Sequence, residues 1–202
     1  MAAPQVYVFQ TLGQPQEPSA TGLDGLKNLN GFRRALFGVK LEDPNVGVLL
    51  TEWLSPEAAL AYQSSFHPST SLNINKESKE TLTITAAPGQ DWESALRAPC
   101  TEVFTAYGPK DGFVEGTGRF VSAVDTNPAE GYKGAAFGSG VAQRRKEGDV
   151  DEEQVVRLVI GWTSREAHLE AKGKPGAIQE NIHELRSGRR AVDLFHVQFK
   201  EL

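Results

Sequence analysis

The 202-residue chain holds a single cysteine and a single methionine. Cys100 alone cannot close an intrachain disulfide, and no Cys-x-x-Cys pair or Cys/His cluster with zinc-ligand spacing accompanies it. No apolar run approaches the roughly 18 residues that a membrane-spanning helix requires, so a membrane is not an expected partner. The N-terminal MAAPQVYVFQ lacks the charged start and long apolar stretch of a secretory signal, and a cytoplasmic location is expected. Basic residues are outnumbered, 21 Lys and Arg against 26 Asp and Glu, for a net charge of −5. Without a phosphate-neutralising stripe, nucleic acid is not an expected partner either. No Gly-x-Ser-x-Gly elbow occurs, and Gly138-Ser139-Gly140 is followed by no Lys-Ser/Thr, so it is not a phosphate loop. What is present is 39% hydrophobic residues with three Trp and ten Phe, enough for a packed core.

The chain resembles itself. Trp53-Leu-Ser-Pro-Glu-Ala-Ala-Leu60 returns as Trp162-Thr-Ser-Arg-Glu-Ala-His-Leu169, an offset of 109. Phe32 to Gly38 returns as Tyr132 to Gly138 at an offset of 100, and Val8-Phe9 as Val103-Phe104 at an offset of 95. Three anchors in one order point to a duplicated unit.

Within each unit the local signals are legible. Residues 5–12 and 100–107 are rich in β-branched and aromatic side chains and read as strands. Leu23, Leu26, Leu29 and Phe32 form a helical stripe. Asp43-Pro44-Asn45 suits a type I turn between strands over 37–42 and 46–53. The charged Gln143–Glu153 stretch of the second copy reads as a solvated loop lengthening the equivalent hairpin. Ser55 and Ser164 are N-cap candidates, with Pro56 fitting the first helical position. Strands over 81–87 and 191–199 close the two units.

The order β-α-β-β-α-β predicts an α+β fold of two tandem ferredoxin-like repeats. The first spans 1–88, a linker runs over 89–99, and the second spans 100–202. Four strands with helices on one side leave the other sheet face bare, so the repeats are expected to pack sheet to sheet. One chain would then be a pseudo-dimer, monomeric or weakly homodimeric.

Gly31-Phe-Arg-Arg-Ala-Leu-Phe-Gly38, Glu42-Asp-Pro44 and Leu49-Leu-Thr-Glu-Trp53 running into Ser55-Pro-Glu-Ala58 resemble the dimeric α+β barrel superfamily. The likeness is to its antibiotic-biosynthesis-monooxygenase-like branch, and specifically to tandem fungal-type members. The resemblance implies a pseudo-dimeric barrel and opens a range of activities: cofactor-free oxygenases, polyketide cyclases, isomerases, decarboxylating enzymes, haem-handling proteins and members without catalysis. One branch carries Tyr followed by His-Pro-x-His. Here Tyr62, His67 and Pro68 match, and Thr70 stands where the second histidine would be.

Alternation in the last strand sets His196 with Leu194 and Gln198, where a buried imidazole can act as a general base; the competing role is a core histidine bonded to a carbonyl. His67 is the second candidate base, or else an ordinary histidine at a helix end. Arg157 is a charge within an apolar strand, suited to holding an enolate or to a structural pair. Glu52 is another such charge. Tyr107 could donate to an oxyanion. Trp53, Trp162, Tyr7, Tyr62 and Phe137 are candidate substrate contacts that double as core. His168 and His183 are expected to be exposed. These residues imply no cofactor and no metal. The functional expectation is a cofactor-independent enzyme of secondary metabolism acting on a hydrophobic, aromatic or polyketide-like small molecule. It would work by acid–base cyclisation, isomerisation or elimination, with oxygenation as a variant. The alternative is a non-catalytic ligand-binding or stress-responsive barrel protein. A single functional pocket in the second repeat, with His196 as base, is expected.

Overall fold

A computed structural model describes residues 5–13, 15–65, 80–146 and 149–202. The chain divides into two compact units. The first contains Met1–Ala86, Gly140–Glu153 and Lys200–Leu202, and the second contains Ala87–Ser139 and Gln154–Phe199.

The first unit runs β1 (Val6–Leu12), α1 (Ala20–Lys27), β2 (Phe32–Val39), β3 (Gly47–Trp53), α2 (Pro56–Ser65) and β4 (Glu80–Ala86). β1 lies antiparallel between β3 and β4, and β2 flanks β3. The Asp43 turn forms as its sequence dictates: the Val46 N–H donates to the Asp43 carbonyl at 3.0 Å, and the Asn45 N–H donates to the Asp43 carboxylate at 3.1 Å. The leucine stripe is shorter as a helix than its period suggests. α1 ends at Lys27, yet Leu29 and Phe32 still pack on the same core as Leu26.

The second unit begins with the short helix α3 (Trp92–Leu96), followed by β5 (Cys100–Tyr107), α4 (Phe113–Thr126), β6 (Tyr132–Lys146) and β7 (Asp149–Trp162). Three short helices, α5 (Arg165–Gly173), α6 (Ala177–Asn181) and α7 (His183–Arg186), then lead to β8 (Ala191–Val197). Its strand order is β8-β5-β7-β6, with β5 antiparallel to both neighbours. A final strand, β9 (Lys200–Glu201), pairs with β2 in the first unit.

Two sequence expectations need correction. The 89–99 segment is not a bare linker: Trp92, Ala95 and Leu96 of α3 are buried, and the Ala95 carbonyl accepts from the Thr101 hydroxyl at 2.9 Å. Nor is Gln143–Glu153 a solvated loop. Apart from residues 147 and 148, it continues β6 and β7 and belongs to the first unit, where Arg144 bridges Glu80 (2.7 Å) and Glu153 (3.3 Å). Part of its charge, Arg144 and Glu153, is cross-strand ion pairing, while Asp151 and Glu152 are exposed. Gly140 permits the approach, since a Cβ there would lie 1.8 Å from the Thr83 carbonyl oxygen.

The same joint recurs in both units. Gly31 and Gly131 have φ of 81° and 83°, and their carbonyls accept from Leu54 and Thr163 N–H groups, each at 2.8 Å. Left-handed φ at these strand starts favours glycine. Phe32 and Tyr132 then meet Trp53 and Trp162 edge to face, at 5.5 and 5.9 Å. Both indoles are fully buried. Trp53→Ala or Trp162→Ala is therefore expected to cost about 3–5 kcal/mol, measured by chemical denaturation. An unchanged midpoint in either variant would remove that indole from the core.

Candidate functional site

Strand β5 is flanked on both sides, so one residue on it meets two neighbours. Glu102, the third residue of β5, stands opposite Ile160 of β7 and His196 of β8. Pleating directs Glu102, Phe104, Leu158, Ile160, Trp162, Leu194 and His196 to the face that carries the helices. Ser164 caps α5 by accepting from the Ala167 N–H at 3.1 Å. That start places His168 and, one turn on, Lys172 over the sheet.

The result is a buried polar cluster in an apolar unit. Glu102, His168 and His196 are 6%, 5% and 2% exposed. The Trp162 Nε1–H donates to Glu102 Oε2 at 3.0 Å, and His168 Nε2 lies 3.4 Å from the same oxygen. On its other side, His168 Nδ1 sits 2.7 Å from His196 Nε2. The imidazole of His168 stacks on Trp162, with centroids 5.3 Å apart and planes 24° apart. Burial pushes the Glu102 carboxyl up to about 7, opposed by the Trp162 hydrogen bond and the Lys172 charge.

A contact of 2.7 Å between two ring nitrogens requires one proton between them: one imidazole donates and the other accepts. His168 can therefore pass a proton between Glu102 on one side and His196 on the other. The same contact disfavours an ion here. Among the described residues these three are the one group whose donor atoms lie within 4.8 Å of one another. The two nitrogens of an imidazole, however, point away from each other. With Nδ1 on His196, His168 cannot share an ion with His196 through Nε2 unless a ring turns.

Glu102, Trp162 and His168 form part of the wall of a cavity of about 230 Å³ within the second unit, between the sheet and the helices. Phe104, Phe120, Leu158, Ile160 and Ile178 make it largely apolar. His196 lies behind His168 and is not in the wall.

The other predicted residues are distributed differently. Arg157 and Tyr107 are buried on the opposite face of this sheet, where the Arg157 guanidinium donates to the Thr105 hydroxyl at 2.6 and 3.1 Å. They do not meet His196. Phe137 packs in the helix-side core but does not line the cavity. Trp53 and Tyr62 stack at 4.8 Å in the first unit, and the Tyr62 hydroxyl donates to Gln10 Oε1 at 2.8 Å. Burial pushes the Tyr62 phenol above its usual range. Tyr7 is buried on the first unit's other face, bonded to Gln5 at 3.3 Å. Glu52 is paired with Arg33 and Arg34, at 3.2 and 2.6 Å. His67, Pro68 and Thr70 lie outside the described residues. His183 is exposed as expected, whereas His168 is not, because the buried stripe of α5 is His168 and Ala171 rather than Ala167 and Ala171.

Glu102 escaped the sequence reading altogether. The structure also revises the register of this strand by one residue. Val6 opposes Trp53, and Cys100 opposes Trp162, so the matching offset for this strand is 94, not 95. A slip of one exchanges the two faces of a strand. Corrected, Glu102 corresponds to Val8, His168 to Ala59 and His196 to Thr83. The first unit has none of these three polar groups at those positions.

No family model and no curated protein matches the chain. Solved structures do. An anthrone oxidase-like protein shares 13% identity, with 97% of this chain and 91% of that one covered at a TM-score of 0.63. A "putative monooxygenase" from Fusobacterium nucleatum shares 13%, covering 100% and 95% at a TM-score of 0.56. Another from Lactobacillus acidophilus shares 12%, covering 98% and 95% at 0.52. The likeness is one of fold. It agrees with the α+β barrel class that the sequence resembles, and at this identity it carries no activity across.

The raised Glu102 value has a thermodynamic consequence. Between its ordinary 4.5 and about 7, the native state holds a proton that the unfolded chain has released. Stability therefore falls as pH rises through that window, and the contribution is fully lost above it. Glu102→Gln, which mimics the protonated carboxyl, is expected to match the parent at pH 4 and exceed it by about 1–3 kcal/mol at pH 8. Denaturation midpoints measured across this range check it. A stability difference independent of pH would contradict it.

Proposed function

We propose that the chain is a cofactor-independent small-molecule enzyme that moves protons on an aromatic or polyketide-like compound held in the second unit. The single observation that carries this reading is the Glu102–His168–His196 chain opening onto an apolar cavity. A carboxyl titrating near neutrality is suited to general base and acid work at physiological pH. Glu102 takes a proton from an activated C–H or phenolic O–H of the ligand. His168 accepts or returns that proton, and His196 is a positioning residue that fixes the ring of His168. Return of the proton to a different atom is an isomerisation, and its delivery to a leaving group is an elimination. Cyclisation follows when the carbanion attacks a carbonyl of the same molecule, and oxygenation when it meets dioxygen.

The likeness to an anthrone oxidase-like protein supports the aromatic class. The same reading holds the two units to be tandem ferredoxin-like repeats of one ancestor, with the chain acting as a pseudo-dimer that is monomeric or weakly dimeric and works in the cytoplasm. It puts a single active cavity in the second unit, since Val8 and Ala59 carry no group that could take up or pass on a proton. A non-catalytic ligand-binding role is the alternative, favoured by the mutual satisfaction of His168 and His196.

Hydrogen–deuterium exchange at the acidic methylene of anthrone separates the two, followed by NMR in anaerobic deuterated buffer. The protein is expected to accelerate exchange at least 100-fold over buffer. Glu102→Gln and His168→Ala should each remove most of that gain, in line with the roughly 10²–10⁴-fold contribution of general acid–base catalysis. His67→Ala should leave it intact. Exchange no faster than buffer, or loss confined to His67→Ala, would overturn the assignment.

A further inference from the structure

The cavity wall carries charge that proton transfer does not use. Lys172 follows His168 by one turn of α5, Arg186 ends α7, and Arg189 lies in the segment leading to β8; all three line the cavity. Glu102 is the one carboxylate in the wall, so cations outnumber anions three to one. Several arginines elsewhere among the described residues are paired: Arg33 and Arg34 with Glu52, Arg119 with Glu184, Arg144 with Glu80 and Glu153. Among the described residues, Lys172, Arg186 and Arg189 form no ion pair. Arg189 is nonetheless anchored, its Nε–H donating to the Leu185 carbonyl at 2.8 Å. That bond holds the guanidinium at the wall and leaves its terminal nitrogens to bind something else.

Much of the remaining lining is apolar, from Phe104, Leu158 and Ile160 on the sheet to Phe120 on α4. One small space therefore combines a mostly hydrocarbon lining with three cations contributed by α5, α7 and the segment leading to β8. A guanidinium fork beside an ammonium matches an oxyanion through charge-assisted hydrogen bonds. Lys172 and Arg186 are exposed and Arg189 is half-buried, so this cationic edge faces water when no ligand is bound, and a neutral ligand would make no use of it.

We infer that the ligand of this cavity is a hydrophobic carboxylate: an apolar, ring-sized body against the sheet, with its anionic oxygens held by Lys172, Arg186 and Arg189. The inference rests on the cavity being the ligand site proposed above, but not on proton transfer occurring there. It narrows the substrate class to acids.

Matched acid and alcohol pairs test it: benzoate with benzyl alcohol, and 2-naphthoate with 2-naphthalenemethanol, titrated calorimetrically into the full-length protein at pH 7.5. At least one acid is expected to bind about tenfold or more tightly than its alcohol, and to weaken with added salt. The triple variant Lys172→Met, Arg186→Met, Arg189→Met should reduce that ratio to near one while leaving alcohol binding unchanged. Its thermal unfolding is compared with the parent to establish that it is folded, and each single substitution is measured so that a misfolded triple does not decide the matter. Acids that bind no better than alcohols, no binding by any acid, or a ratio unmoved in every folded variant overturns the inference. The two proposals fail separately. If acids and alcohols bind alike while Glu102→Gln abolishes anthrone exchange, the carboxylate class falls and proton transfer stands. If acid preference holds while Glu102→Gln leaves exchange intact, the reverse is true.

Discussion

A carboxyl group withdrawn from water governs the second unit. Glu102 sits on a central strand with sheet neighbours on both sides and helices above, so it cannot swing out to solvent. An unpaired carboxylate in such a place would be severely penalised. What makes it tolerable is a set of neighbours drawn from three elements: Trp162 from β7, His168 from α5 and His196 from β8. Each of them is tied down in turn. The indole packs against Tyr132, the first imidazole stacks on the indole, and the second imidazole shares a proton with the first. Apolar residues of similar volume would fill this space at lower electrostatic cost. The first unit does so, with Val8 and Ala59 at the corresponding positions and Tyr62 stacked on Trp53.

That contrast distinguishes two units built on similar local geometry. Both units carry the same glycine–aromatic–tryptophan joint, and both helices after the tryptophan are capped by a serine. The frame is common, while the polar content is not. In one unit the space beside the tryptophan is closed by a tyrosine bonded to Gln10. In the other it holds a histidine at the wall of a cavity.

Much of the frame was legible because local chemistry dictates it. The Asp43 turn, the serine caps and the alternation of β7 and β8 all appear as their side chains require. Less legible was anything decided by pairing across strands. The charges of Arg144 and Glu153 look like loop solvation until Glu80 is set beside them by the fold. Glu102 lies on a strand whose structural match is one residue away from the apparent sequence match, and a one-residue slip reverses inside and outside. His168 was misjudged because Ala167 packs at Gly131 and makes the helix stripe look displaced. His196 alone of the cluster could be seen in sequence, and its partners could not, since 28 residues separate it from His168. The charge within an apolar strand that drew attention to Glu52 and Arg157 applies equally to Glu102.

Whether Glu102 is the neutral-range acid on which the rest depends can be measured directly. Carbon-13 labelling of the glutamate carboxyls, with Glu102→Gln to assign its resonance, permits an NMR titration of the folded protein from pH 4 to pH 9. A midpoint near 7 is expected for Glu102, against the lower midpoints of exposed glutamates. A Glu102 midpoint at the ordinary 4.5 would mean that the carboxyl is fully ionised across the neutral range, and the proton relay built on it would not stand.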